Sequence, residues 1–407
     1  MSWAKIYPII GIVCFIYIPV LSQETKVRSA SYYFQKGEES LQKKSYKTAL
    51  AHFNECLRLS PYYMDAYYSR ALTKEGLGNK QGALNDYNIY LDAKPEDKEA
   101  LFSRAVGRYD YGQWAVAKED FQKLLAMPGG ETNTVYFQSG ADGTGVTRAF
   151  TAQENLTSTF LNYLGLIETK LKNFKVAQQH FDSAIHISPT NPDLYLNRGL
   201  AKLIAGDSLN AKADFMQTLA LNPESSVAKY NLSILSTEKG NTYESEKLLT
   251  ESIESNPNLP YSYAERAAVR MNDGNWKGAL TDYTEAIKLD PKEADYWLNR
   301  GIIREQQNDL NGALSDYKQV LTLNPDYEKG WLNHGNAMVK LNRVNDAIED
   351  YTVAITHYPE YGLAYFNRSV AYNRLGKKVE ACKDLTQAIA LGIKVEPSMH
   401  LKICTDK

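Results

Sequence analysis

The sequence predicts an all-α fold, a right-handed superhelical solenoid of about ten helix-turn-helix repeats, on three observations. Prolines recur at a fixed interval: Pro61 and Pro95, then Pro189, Pro223, Pro257, Pro291, Pro325 and Pro359, each 34 residues from the last within its block. Self-similarity at a period of about 20 to 50 residues marks stacked supersecondary units, each too small to bury its own apolar face. With each proline set at position 32, repeats begin at Ala30, Met64, Lys98, Ser158, Pro192, Ser226, Pro260, Ala294, Glu328 and Gly362. Position 8 is then always small, from Gly37 and Ala71 through to Gly335 and Ser369, and so is position 20, from Ala49 to Ala381. Position 24 supplies complementary bulk, as in Phe53, Tyr87, Phe215, Tyr317 and Leu385. Small residues at both places let the two helices of a repeat cross closely, where a larger side chain would overpack.

Taken in order, residues 1–22 obey a different logic. Lys5 precedes the apolar run Ile6 to Leu21, and Val20-Leu21-Ser22 suits cleavage before Gln23, the pattern of a secretory signal peptide. Sixteen apolar residues are short for a membrane span of about 20, so membrane attachment is expected only if this segment stays uncleaved. Pro8, Pro19 and the charged stretch Glu24 to Arg28 argue against a core helix, and Cys14 goes with the leader. Residues 30–129 hold repeats one to three. The 94 residues from Pro95 to Pro189 break the beat, which places an insert at 130–157. Its β-branched runs around Gly140, Gly143 and Gly145 read as a hairpin, with an irregular loop as the alternative. Repeats four to ten fill 158–393. Within them each proline stops helix B where the chain turns into the next helix A. Gly78-Asn79, Gly206-Asp207, Gly240-Asn241 and Gly274-Asn275 supply the left-handed residue of the A-to-B turn. Residues 394–407 cap the stack, with a helix expected over Glu396 to Thr405. Antiparallel packing of that helix would bring Cys404 to Cys382, a disulfide in an exported chain and otherwise two free thiols. Cys56 reads as a buried thiol.

Tyr296-Trp297-Leu298-Asn299-Arg300-Gly301, followed by Gly312-Ala313-Leu314-Ser315-Asp316-Tyr317, resembles the tetratricopeptide repeat family, and the likeness covers about 340 of the 407 residues. Stacked helix pairs of this kind present a concave surface for extended partners. The resemblance implies that the position-6 asparagines, Asn197, Asn231, Asn299, Asn333 and Asn367, line the groove and hydrogen-bond a peptide backbone. An amide suits that role because it both donates and accepts. Against this stands the reading that these are solvated pattern residues. Ser69, Ser103, Tyr163 and Glu265 interrupt the ladder. The family's paired-lysine clamp for a terminal carboxylate is not recognisable. Arginines at position 7 (Arg70, Arg104, Arg198, Arg266, Arg300, Arg368) recur in phase with aspartates at position 23 (Asp86, Asp120, Asp214, Asp282, Asp316, Asp350, Asp384). They are expected to pair as a register device within or between repeats, the alternative being that the arginines receive an acidic ligand.

Enzymatic chemistry finds little support. The six histidines show no HExxH spacing, His180 and His186 fall on different helix faces, and no P-loop, dinucleotide fingerprint or GxSxG is present, so neither metal nor cofactor is expected. A net charge of −2, or −3 after removal of residues 1–22, supplies no basic stripe for nucleic acid. The 29 tyrosines recur mainly at repeat positions and read as core. Together these point to a non-catalytic scaffold for a protein or peptide partner in the cell envelope, in the periplasm of a Gram-negative-type bacterium. Sequons at Asn155, Asn231 and Asn367 agree, since a eukaryotic secretory route would put glycans on the groove. The alternative is a ligand sensor or accessory subunit of an envelope enzyme or transport complex acting through 130–157.

Overall fold

The computed structural model describes residues 28–127, the strands 136–139 and 146–150, and residues 156–404. The expected leader, its cleavage point and Asn155 lie outside the described residues. The chain divides into two compact units, Met1–Gly130 and Glu131–Lys407.

The first unit contains three helix pairs: Ala30–Gln42 with Tyr46–Leu59, Met64–Gly76 with Lys80–Ala93, and Lys98–Asp110 with Trp114–Ala126. The second opens with the strands Tyr136–Ser139 and Val146–Phe150, which pair antiparallel with Tyr136 opposite Phe150 and an irregularity between Gln138 and Ser139. Seven pairs follow: Leu156–Lys170 with Phe174–Ile187, Pro192–Ile204 with Ser208–Leu221, Ser226–Glu238 with Thr242–Ser255, Pro260–Asn272 with Trp276–Leu289, Ala294–Gln306 with Leu310–Leu323, Glu328–Lys340 with Val344–His357, and Gly362–Arg374 with Lys378–Ala390. In each pair the first is helix A and the second helix B, giving repeats one to ten in chain order. Each helix packs against its predecessor and successor within its unit, and successive A helices also touch, as in repeats eight, nine and ten.

The pattern of small and large residues has a direct steric cause. A Cβ placed on Gly301 would stand 2.5 Å from the Tyr317 ring, and one on Gly199 2.7 Å from the Phe215 ring, closer than real contacts allow. Phe53, Phe121, Phe181, Phe215, Tyr317 and Tyr351 are accordingly buried between the helices of their own repeats. The A-to-B turn needs a left-handed residue at position 15, and all ten repeats provide one. Six use glycine, whereas Lys44, Lys172, Asn308 and Asn342 adopt the same φ of 55° to 64° with a side chain attached.

The framing prolines contribute a carbonyl as well as a stop. Trp297 Nε1 donates to the Pro291 carbonyl at 3.0 Å and Trp331 Nε1 to that of Pro325 at 2.8 Å, tying position 4 to the preceding turn. A last helix, Pro397–Cys404, packs on helix B of repeat ten, and Cys382 and Cys404 form a disulfide with Cα atoms 4.9 Å apart. Cys56 is a free, buried thiol.

Candidate functional site

The arginines at position 7 are spent inside the repeat stack. Arg300 grips Asp316 through two nitrogens, Nε to Oδ2 at 3.0 Å and Nη2 to Oδ1 at 2.7 Å, and the same fork joins Arg70 to Asp86, Arg104 to Asp120, Arg198 to Asp214, Arg266 to Asp282 and Arg368 to Asp384. The partner always lies 16 residues on, in helix B of the same repeat.

The remaining arginine nitrogen reaches backwards. Nη1 donates to the residue 16 positions earlier, on helix B of the preceding repeat: Asn54, Asn88, Asp182, Thr250, Thr284 and Thr352 receive it in turn. One guanidinium therefore fixes helix A to its own helix B and to the repeat before it, a use of planar fork geometry that an ammonium cannot reproduce. A second cation one turn along helix A completes most of these sites: Lys74, Arg108, Lys202, Arg270 and Arg304 each sit within 2.8 Å of the same aspartate. In repeat nine His334 Nδ1 replaces the arginine at 2.8 Å from Asp350. These charges compensate one another, which leaves the arginines poor receptors for an acidic ligand.

The position-6 asparagines divide into two groups. Asn197 Nδ2 donates to Asn162 Oδ1 at 3.0 Å, and Asn367 Nδ2 to Asn336 Oδ1 at 2.8 Å, an oxygen that also accepts from the Tyr351 hydroxyl. Asn231 is only 7% exposed and donates to the Val227 carbonyl of its own helix, which withdraws it from the surface. Asn299 and Asn333, by contrast, are half-buried and spend neither amide hydrogen nor amide oxygen on another described residue. They occupy the same register in consecutive repeats whose A helices touch.

Around them the A helices of repeats six to nine carry further polar groups. Glu305 accepts from the Tyr317 hydroxyl at 2.7 Å and faces Lys340 Nζ at 2.8 Å. In repeat seven position 6 is Glu265, half-buried beside Tyr230 and Tyr261, whose rings meet edge to face with centroids 4.6 Å apart. Burial pushes the Glu265 carboxyl above the usual carboxylate range and, reinforced by the charge of Glu265, pushes the Tyr230 hydroxyl up to about 12. Such a face offers hydrogen-bond donors and acceptors, aromatic rings and one uncompensated acid, and holds no nucleophile paired with a base.

A tetratricopeptide repeat family model matches residues 294–327, and related ones match residues 30–63, 269–308 and 332–394. Among curated proteins, serine/threonine-protein phosphatase T of Aspergillus oryzae is 20% identical over 206 residues, which are 48% of this chain and 41% of that protein. Tetratricopeptide repeat protein 16 of Mus musculus is 26% identical over 39% of this chain and 17% of its own length. An uncharacterized protein of Methanocaldococcus jannaschii is 35% identical over 60 residues, 15% of this chain and 70% of that protein. The chain thus spans less than half the length of the first two relatives. Similar solved structures include yeast Tom70, at 15% identity and a TM-score of 0.38 over 92% of this chain and 94% of that one. A tetratricopeptide repeat protein from Parabacteroides merdae matches at 15% identity and a TM-score of 0.44, over 61% and 98%.

Proposed function

The chain belongs to the tetratricopeptide repeat family, whose helical scaffolds mediate protein–protein contacts, and from that premise we propose that it is a non-catalytic scaffold binding an extended peptide or protein segment along the helix-A face of its second unit. The observation that carries this reading is the pair Asn299 and Asn333. An extended backbone presents N–H and C=O groups in alternation, and an amide that has spent neither of its functions can meet both. Half-burial favours such a bond, because competing water is partly excluded and the amide would otherwise stay under-satisfied.

We further propose that the chain works in an oxidising compartment, exported to the cell envelope. The Cys382–Cys404 bridge supports this, since disulfides persist where thiols are not kept reduced. Amino-terminal sequencing of the native protein tests the route: Gln23 as first residue supports it, and Met1 retained in a cytosolic fraction contradicts it.

The binding reading is tested by changing Asn299 and Asn333 together to Ala and measuring the affinity of a captured partner. A loss of about 1 to 3 kcal/mol with unchanged helicity is expected. Unaltered affinity would return both residues to solvated members of the repeat pattern.

A further inference from the structure

We propose that Glu265, beside Tyr230 and Tyr261, is the receptor for a basic side chain, lysine or arginine, of the bound segment. The proposal rests on the reading that the helix-A face binds a peptide, and it adds the chemistry of one residue of that peptide.

Position 6 is asparagine in the repeats before and after, at Asn197, Asn231, Asn299 and Asn333, and glutamate in repeat seven. The change introduces a full negative charge at the one register position where the neighbours present neutral amides. Nothing in the described structure neutralises it. Arg266, its neighbour in sequence, is committed to Asp282 and Thr250, and Arg270 to Asp282 and Glu246. Lys229, on helix A of repeat six, donates to the Ser255 hydroxyl. The contrast with other carboxylates of this unit is sharp: Asp214, Asp282, Asp316 and Asp384 each face an arginine, and Glu305 faces Lys340. A half-buried carboxylate without a cation is unfavourable by its desolvation, and a bound cation would recover that free energy.

The surroundings select the kind of cation. Tyr261 and Glu265 are one turn apart on helix A of repeat seven and therefore share a face. Tyr230 comes from repeat six and packs edge-on against Tyr261, and the Glu265 charge also acts on the Tyr283 hydroxyl of helix B of repeat seven. Tyrosine faces attract a cation through their quadrupole while their rings cover its alkyl stem. A carboxylate with aromatic walls therefore suits a long basic side chain better than a small hydrated ion, which would require several oxygen ligands. Among the described residues no group of three or more histidine, cysteine or acidic side chains is arranged to hold a metal.

The test uses the full chain and a random dodecapeptide phage library, followed by affinity measurement on synthetic copies of the selected peptides. Wild-type protein is expected to enrich peptides with a lysine or arginine at one fixed place. Glu265→Gln should weaken them roughly 10- to 100-fold, the scale of a hydrogen bond to a charged group, and Glu265→Lys should select acidic residues at that place instead. A melting temperature for Glu265→Gln equal to or above that of the wild type is expected, because the acid has no internal partner to lose. Selected peptides that lose binding in the Asn299/Asn333 double variant but are indifferent to Glu265→Gln would overturn this inference and leave the peptide-binding reading standing. Failure to select any peptide would overturn both.

Discussion

Repeat eight holds helix A against helix B through Arg300 and Asp316, only 8% and 1% exposed, whereas repeat six places Leu232 and Leu248 at the same two positions. The third position changes with them. Arg300 reaches back to Thr284, an acceptor, while the residue in register ahead of Leu232 is Met216. Repeats six and eight thus carry a complete apolar and a complete polar version of the contact, whereas repeat four sets Leu164 at the position of the arginine and His180 at that of the aspartate. Repeat nine is intermediate: His334 meets Asp350, Met338 replaces the second cation, and Lys318 stands where an arginine would require an acceptor. The lesson is that the ion pair fixes register, because a hydrophobic set fills the same space and the stack continues through it. Buried pairs often add little net stability over well-packed apolar residues, but breaking one by half is costly.

That comparison can be broken directly. Asp316→Ala leaves Arg300 and Arg304 without their shared carboxylate and should cost about 3 to 5 kcal/mol, read as hydrogen exchange accelerating in repeats seven to nine while repeats four and five stay protected, since each repeat contacts only its neighbours. Installing the repeat-six solution with Arg300→Leu and Asp316→Leu together should restore most of the protection. If the double variant is as unstable as the single one, the pair is a source of stability rather than of register.

A second comparison concerns position 12. Glu305 is answered by Lys340 and the Tyr317 hydroxyl, but Glu75 of repeat two has no such cation, and burial, reinforced by Asp110 and opposed by Tyr87, pushes its carboxyl up to about 7. The sign follows from linkage. Below its ordinary value of 4.5 the acid is protonated in both states and nothing is lost. Between there and about 7 the unfolded chain gives up its proton first, so repeat two loses stability as pH rises and is level above that window. Glu75→Gln should abolish this slope in hydrogen exchange of repeat two measured from pH 4.5 to 7.5. Parallel slopes in the variant and the wild type would contradict it.

The smallest effect sharpens the contrast at the A-to-B turn. Lys172 holds a left-handed backbone that costs a residue with a side chain about 1 to 2 kcal/mol, and glycine fills the slot in six other repeats. Lys172→Gly is expected to stabilise repeat four by about 1 kcal/mol. Destabilisation would mean that the lysine side chain contributes more than its backbone costs.

The repeat architecture was legible because three steric requirements, at positions 8, 20 and 24, recur ten times in phase, and chance does not produce that. The turn was legible only where glycine marks it. Lys44 and Lys172 carry no turn signal, and their conformation is imposed by the two helices they join. The in-phase arginines and aspartates revealed their pairing, but the backward bond to the preceding repeat stayed hidden, since its acceptors are asparagine, aspartate and threonine by turns. The asparagine ladder was readable as a column of five and unreadable as to which amides are spent. That depends on Asn162 and Asn336, which hold different positions within their repeats. Glu265 was visible as an interruption of the ladder. Its lack of an internal cation is a three-dimensional fact, because Arg266 and Arg270 are close in sequence and turn elsewhere.

The most direct test of the binding face is a hydrogen–deuterium exchange footprint of the full chain with and without a saturating selected peptide. Protection is expected on Pro260–Asn272, Ala294–Gln306 and Glu328–Lys340, the A helices that carry Glu265, Asn299 and Asn333. Protection confined to the B helices, or to residues 130–157, would contradict the account.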